Sequence, residues 1–428
     1  MATMRRRLLM LALLPALLTY IADAQGSSAA LAKYGPSGVR ALDDTAFVWN
    51  TRGAAAGLWR LDDTTSGVHW TALPLPRALQ QEIADEVHEE MRYASSPENV
   101  QTPFDLEVQN GTPRLFWFHE DPQSASTGEH TSNLIEAASP DRGLTWTILS
   151  SSTSTTPGLS FVQSFIASDA QHAWLLARSD PGASQLPQAL FTTSDAGRHW
   201  LDRRGSNSAL PLGIDGPHLL HAISANRAWL IGTCPPCTAD QSIAAAWTTN
   251  GGQTWRKAQI AFDSNCPECE PVSIAETPSR PDCFDLLDAN GRSETQFHFC
   301  TPDDGATWNG PLPGFTIKPL IYSKHAGRFL WPMYAPENGR IGVAANCQNL
   351  PATAPAAQRH KACELVATTN AGRSWRSILP DVTSELLHPI GLSASGIGAW
   401  LLVSGEPNQL FHSTDAGRTW SAVSATGR

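Results

Sequence analysis

Eight cysteines, all between positions 234 and 363, are the side chains of this 428-residue sequence whose spacing most suggests chemistry. Cys234 and Cys237 form one C-x-x-C pair, and Cys266 and Cys269 form another. Four thiolates in two such pairs suit a tetrahedral zinc site. A dithiol redox centre at Cys234-Pro-Pro-Cys237 is a second chemistry, but it needs a helix N-terminus or a cation to stabilise the thiolate, and no helix is expected there. Plain cross-linking is the third. An even cysteine count in a chain that leaves the cytoplasm favours disulfides. Cys283 opens one expected strand and Cys300 closes the next, while Cys347 and Cys363 bracket one loop in the same way. These two bridges are the favoured pairs, and neither a metal nor a cofactor is expected. Acid–base chemistry is harder to locate, because paired carboxylates cannot be picked out of 40 Asp and Glu by spacing alone. Asp285 and Asp288 flank an apolar run without further support. His88-Glu89 lacks the second His of a zinc-protease helix.

One set of acids does recur. Counting back from seven tryptophans, Gly stands at −3 every time, Asp or Asn at −5 in six cases, and Ser or Thr at −7 in six. The segments are Ser139-x-Asp141-x-Gly143-x-x-Trp146, Thr193-x-Asp195-x-Gly197-x-x-Trp200 and Thr248-x-Asn250-x-Gly252-x-x-Trp255. They continue as Thr301-x-Asp303-x-Gly305-x-x-Trp308, Thr368-x-Asn370-x-Gly372-x-x-Trp375 and Ser413-x-Asp415-x-Gly417-x-x-Trp420, with a weaker copy from Asp63 to Trp70. Gly permits the left-handed backbone of a tight turn, and the Asx and hydroxyl side chains can accept the turn's own N–H groups. Trp then starts the next strand and can lay its ring over the turn. The expected role is a braced hairpin end, not a row of metal ligands or catalytic acids.

A second element precedes each turn. Ala46–Asn50, Leu115–His119, Ala173–Ala177, Ala228–Gly232, Cys283–Leu287, Arg340–Ala344 and Ala399–Val403 are short apolar runs that read as buried strands. A further strand enters the turn at Gln188–Thr193, Ala244–Thr249 and Gln409–Thr414. Four short strands per unit in a sevenfold array is the pattern of a β-propeller. The first interval is longer than the others, and the excess contains one helix from Arg77 to about Ala94. Leu79, Ile83, Val87 and Met91 share a face, Pro76 precedes it, and Glu82, Asp85, Glu86, Glu89 and Glu90 form an outer face expected to be solvated.

These turns resemble the Asp-box, or bacterial-neuraminidase, repeats of sialidases, xyloglucan-cleaving glycoside hydrolases, sortilin-type receptors and photosystem II assembly-factor-like proteins. The resemblance covers Ala46 to Val423 and implies that the box braces the turn between the third and fourth strands of each blade. It implies little about activity, since one fold hosts many functions. A sialidase-like site would need an Arg-Ile-Pro context and a Tyr nucleophile. No Arg-Ile-Pro occurs, and of Tyr34, Tyr93, Tyr322 and Tyr334 only Tyr322 is a candidate, more readily a strand aromatic. A xyloglucanase-like Asp pair sits between two propellers, and one propeller is expected here.

The remaining features set the class. Arg5, Arg6 and Arg7, the apolar run Leu8 to Ile21 and Ala22-Asp23-Ala24 read as a cleaved export signal over residues 1–24, too short in its apolar part to span a bilayer. A hydrophobic share of 41% can fill a core. A net charge of −10 disfavours nucleic acid, which needs a basic footprint. Of the 15 Trp, seven close turns, five lie on apolar strands and Trp247 enters a turn, which leaves Trp59 and Trp331 unplaced. The expectation is an all-β protein, a single seven-bladed β-propeller of four-stranded blades over residues 25–428, with one helix inserted at about 77–95. Its expected role is an exported, periplasmic or secreted, non-catalytic scaffold for a protein or glycan ligand, with no membrane span in the mature chain. The rival is an extracellular glycoside hydrolase.

Overall fold

The computed structural model describes residues 31, 33, 35–52, 56–64, 67–90, 104–120, 131–156, 158–179, 188–203, 215–233, 243–261, 271–277, 280–288, 296–309, 327–335, 340–348, 363–370, 374–379, 389–405 and 407–424. The expected leader lies outside them, as do Tyr34, Tyr93, Tyr322, Gly372 and Cys234, Cys237, Cys266 and Cys269.

Strands dominate, and among the described residues they form seven sheets. Sheet I is Gly38–Leu42, Thr45–Asn50, Gly57–Thr64 and Gly67–Leu73. Sheet II is Phe104–Gln109, Thr112–Glu120, Ser132–Ala138 and Thr147–Ser154. Sheet III is Leu159–Ala167, Ala173–Ser179, Gln188–Thr193 and Leu201–Asp202. Sheet IV is Asp215–Ala222, Ala228–Thr233, Ile243–Thr248 and Arg256–Lys257. Sheet V is Pro271–Thr277, Arg280–Asp288, Gln296–Cys300 and Thr307–Asn309. Sheet VI is Gly327–Tyr334, Gly342–Gln348, Cys363–Thr368 and Arg376–Leu379. Sheet VII is Pro389–Ser395, Gly398–Val403, Gln409–Ser413 and Ser421–Ala422. Each apolar run singled out in the sequence lies on a second strand, except that Arg340 and Ile341 precede the strand that holds Gly342–Ala344.

Burial explains that placement. Thr45–Asn50 is buried at every position, as is Gln188–Thr193, because a neighbouring sheet covers each face. Fourth strands are the wet ones, with Gly67–Leu73 and Thr147–Ser154 mostly exposed or half-exposed. First strands lie innermost. That of each sheet packs on that of the next, from I through to VII, and the first strand of VII packs on that of I. Apolar clusters fill the seams, joining Phe47 and Trp49 to Leu106 and Trp117, and Val39 and Trp59 to Trp400 and Leu402. Sheets packed radially in this way form a β-propeller.

The seam between VII and I carries polar contacts as well. Ala41 N donates to Ser393 Oγ at 2.7 Å, Asn408 Nδ2 to the Pro36 carbonyl at 2.9 Å, and Trp70 Nε1 to the Ser424 carbonyl at 3.0 Å.

Two expectations need correction, and one open position is filled. Sheet V has a fifth strand, Gln259–Ala261, which runs parallel to Thr307–Asn309. The connection from sheet IV travels along the outer edge of V first and covers N–H and C=O groups that an edge strand would leave open. Next, the helix runs Arg77–Glu90, and residues 91–103 lie outside the described set. Leu79, Ile83 and Val87 are buried in the seam between sheets I and II. Its Glu82 is not a solvated acid, because Oε2 meets His119 Nδ1 of sheet II at 2.6 Å. Finally, Trp59, which had no assigned place, is 2% exposed on the third strand of sheet I. Trp331 falls on the first strand of sheet VI.

Cys283 and Cys300 sit opposite each other across an antiparallel pair and are joined by a disulfide, with Cα atoms 4.1 Å apart. Cys347 and Cys363 occupy the same relation in register within sheet VI.

Candidate functional site

All seven repeated turns link the third strand of a sheet to its fourth. Ser139 Oγ donates to Asp141 Oδ1 at 2.7 Å and accepts from Gly143 N at 2.6 Å, while Asp141 accepts from Thr145 N at 2.8 Å and from Thr145 Oγ1 at 2.5 Å. The same four bonds recur at Thr301, Asp303, Gly305 and Thr307. They recur again at Ser413, Asp415, Gly417 and Thr419. At Asp195 the partner is His199, whose Nδ1 lies 2.5 Å from Oδ2. Asn250 and Asn370 reverse one bond, with their amide Nδ2 donating to Thr254 Oγ1 and Ser374 Oγ. The chemistry requires this, since a carboxylate only accepts whereas an amide offers both roles. The copy ending at Trp70 has no such brace among the described residues, and Asp63 instead lies 3.9 Å from His412 Nε2 of sheet VII.

Two features of these turns were not read from the sequence. The residue before Trp is the Asx partner, and its signal was present as Thr, Ser or His at all seven positions. The residue before the box Gly is also left-handed, with φ of 58° at Arg142, 60° at Ala196, 56° at Asp304 and 58° at Ala416. Two successive left-handed residues are costly for side chains other than Gly, and the hydroxyl and Asx bonds hold them there.

Hydrogen bonding fixes the charge of these acids. Asp141 is held down at about 2 by the hydroxyl and N–H of Thr145 and then by Ser139. Partial burial works upward on Asp415, yet Thr419 and Ser413 outweigh it and hold the carboxyl at about 2. Asp195 and Asp303 are shifted down in the same manner against burial. Carboxylates so low and so fully bonded are neither proton donors near neutrality nor free ligands.

The turns of sheets II, III, IV, V and VII also reach back to the preceding sheet. A Cβ on Gly143 would fall 2.5 Å from Leu73 of sheet I, one on Gly305 2.7 Å from Trp229 of sheet IV, and one on Gly417 2.9 Å from Ile341, just before the second strand of sheet VI. The tryptophans follow. Trp146 Nε1 donates to the Pro74 carbonyl at 2.8 Å, and the Trp308 ring stands on Trp229 at 4.9 Å between centroids. The ring thus faces the neighbouring sheet, not only its own turn, although Trp308 and Trp420 also donate to Gly305 and Gly417 carbonyls. At Trp200 the contact is polar. Its Nε1 donates to the fully buried Glu136 at 2.6 Å, Glu136 pairs with Arg114, and Arg114 Nη1 donates to the Ala196 carbonyl at 3.0 Å. Burial pushes the Glu136 carboxyl up to about 7 against the pull of Arg114 and Trp200.

Among the described residues, a recess sits at the other end of the sheets. First strands begin where second strands end, which is opposite the box turns. There, Ser37, Trp49 and Thr51 of sheet I, Phe104, Asp105, Phe116 and Phe118 of sheet II, and Ser160, Phe161 and Val162 of sheet III line a cavity of about 150 Å³. Beside it, Arg40 Nε and Nη2 grip both oxygens of Glu107 at 2.8 and 2.6 Å. Arg40 is therefore occupied. Asp105 accepts from Leu106 N at 2.9 Å. Burial, then the charge of Glu107, lifts its carboxyl to about 7, opposed by Arg40 and the Leu106 N–H. A second, shallower opening of about 440 Å³ lies at the far ends of the first strands, lined by Leu42, Val108 and Ser395 among others.

Tyr322 and the two C-x-x-C pairs lie outside the described residues, and the side chains of Asp285 and Asp288 are not described. Among the described residues, no group of three or more His, Cys, Asp or Glu is placed to hold a metal, and no helix is long and apolar enough to cross a membrane.

No family model and no curated protein matches the chain. Solved structures similar to it are propellers. One is YCF48 bound to a D1 peptide, at 15% identity over 69% of this chain and 77% of that one, with a TM-score of 0.38. Another is the α-L-arabinofuranosidase Arb93A of Fusarium graminearum, at 15% identity over 75% and 92%, with a TM-score of 0.39. A third is the propeller domain of the Trilobed protease of Pyrococcus furiosus, at 8% identity over 92% and 95%, with a TM-score of 0.41. Likenesses this distant carry no argument about what the chain does.

Proposed function

We propose that the seven sheets are the blades of one ring, an Asp-box propeller over residues 25–428, and that the chain is an exported binding or assembly scaffold for a protein or glycan ligand. In this reading residues 1–24 are a cleaved leader, the mature protein is periplasmic or secreted, and the box residues are structural. One observation carries it. The repeated acids are fully occupied within their turns, while the recess at the opposite end presents aromatic walls and the Asp105 carboxyl, which among the described residues is bonded by the Leu106 N–H. Binding residues commonly sit at the loop end of a rigid scaffold.

A hydrolase reading has one observation in its favour. Asp105, lifted to about 7, stands two residues from the paired Glu107 on the same strand, and carboxyls pushed apart in this way can share acid and base roles. Against it, both Glu107 oxygens are held by Arg40, which leaves no oxygen free to attack or to activate water.

A panel of peptides and glycans offered to the immobilised mature protein separates the two. The expected result is retention without sugar release, lost in Asp105→Asn and kept in Asp415→Asn, a change that copies the natural Asn250 and Asn370 turns. Sugar release by the wild type, abolished by Asp105→Asn, would replace the scaffold with a glycosidase.

A further inference from the structure

The recess at Asp105 has a chemical bias of its own. Trp49, Phe104, Phe116, Phe118 and Phe161 enclose it from three sheets. Aromatic faces carry negative potential and attract cations, and one of these rings already holds one, with Arg178 Cζ 5.7 Å from the Phe161 centroid. Asp105 adds a carboxylate whose natural counter-ion is engaged elsewhere, since Arg40 is bound through two nitrogens to Glu107. Among the described residues the Asp105 carboxyl accepts the Leu106 N–H, while Arg40 acts on it through its charge only, its guanidinium being bonded to Glu107. Such a carboxylate is poorly compensated, and a cation arriving in the recess would complete it.

We propose that this cavity between sheets I, II and III is a site for one organic cation, an alkylammonium group seated between the aromatic walls and the Asp105 carboxylate. The proposal rests on the reading of this recess as the ligand site. A volume of about 150 Å³ suits the end of a lysine side chain or a free amine of similar size.

Occupation is coupled to protonation. The incoming charge favours ionised Asp105, so binding releases a proton when the group starts neutral. With Asp105 at about 7 in the empty protein, affinity should rise about tenfold between pH 6 and pH 8. Other charged groups on the packed strands include Arg40 and Arg60 on sheet I, Glu107, Arg114, His119 and Glu136 on sheet II, and Arg178 on sheet III, with Arg52 just past the second strand of sheet I.

Isothermal titration of the mature protein with n-butylammonium, with 1-butanol as the neutral isostere, tests the proposal at pH 6 and pH 8. The expected result is saturable binding of n-butylammonium alone, about tenfold tighter at pH 8. Asp105→Asn should remove both the binding and its pH step, and Phe118→Leu should weaken binding by about threefold or more in a protein whose thermal melt still shows it folded at the titration temperature. Equal binding of 1-butanol would overturn the cation proposal while leaving the recess as a ligand site. Binding of neither would remove the recess reading as well. A pH step that persists in Asp105→Asn would contradict the role given to Asp105. N-acetyl-lysine methylamide in a further arm identifies the source: binding there points to a partner's lysine, and binding of n-butylammonium alone to a free amine. Either supports the cation site.

Discussion

Trp308→Ala should lower stability by about 3–5 kcal/mol, the usual cost of deleting a large aromatic from a packed interior. Trp308 is 1% exposed and stands edge-on to Trp229 of sheet IV at 83°. Its Nε1 donates to the Gly305 carbonyl, and Gly305 itself presses on Trp229. Removing the ring opens a void between two sheets where neither backbone can close it, because each is pinned by its own hydrogen-bond ladder. Trp146→Ala offers the contrast. That ring is half-exposed and bonded to the Pro74 carbonyl, so it loses less buried surface. Urea unfolding checks both. A loss below about 1 kcal/mol at Trp308 would mean that the box tryptophans do not hold sheet to sheet.

Arg114→Met should be the second severe change, and its cost should depend on pH. Arg114 bonds Glu136 of its own sheet and the Ala196 carbonyl of the next, so its removal strips a buried carboxyl of its partner. Breaking a buried pair from one side typically costs about 3–5 kcal/mol. The sign of the pH effect follows from Glu136, whose folded value is raised to about 7 from 4.5. The stability that this group contributes is fully present below the unfolded value and is lost as pH rises through about 7. Without Arg114 the folded value climbs further, and the loss at alkaline pH deepens. The variant should therefore sit closest to wild type near pH 5 and furthest near pH 8. Urea unfolding at both values measures this, and an equal cost at the two would contradict it.

Architecture was largely legible in the sequence, and for a physical reason. A turn that needs Gly, Asx, a hydroxyl and Trp in fixed order leaves a pattern of low chance frequency, and it repeats once per sheet. Second strands were legible because burial on both faces demands unbroken apolar runs such as Ala173–Ala177. The fifth strand of sheet V was not, since Gln259–Ala261 is three residues long and owes its pairing to an edge supplied 46 residues and more further on at Thr307–Asn309. Glu82 looked like any acid on a helix face because its partner, His119, comes from another element. The recess was invisible for the same reason. Its walls come from the ends of strands in three sheets, and Asp105 carries no local mark that separates it from the other acids. What distinguishes it is that Arg40, the nearby cation, is turned to Glu107, which only the packed first strands reveal.

Closure of the ring is the premise beneath the scaffold and the recess alike, and the amide of Ala41 reports on it. This N–H points away from sheet I and donates to Ser393 Oγ of sheet VII at 2.7 Å. In an open row of sheets it would face water. Residue-resolved hydrogen exchange should find Ala41 protected in the wild type and fast in Ser393→Ala, with the paired strand Thr45–Asn50 protected in both. Rapid exchange of Ala41 in the folded wild type would contradict a ring closed by the last sheet upon the first.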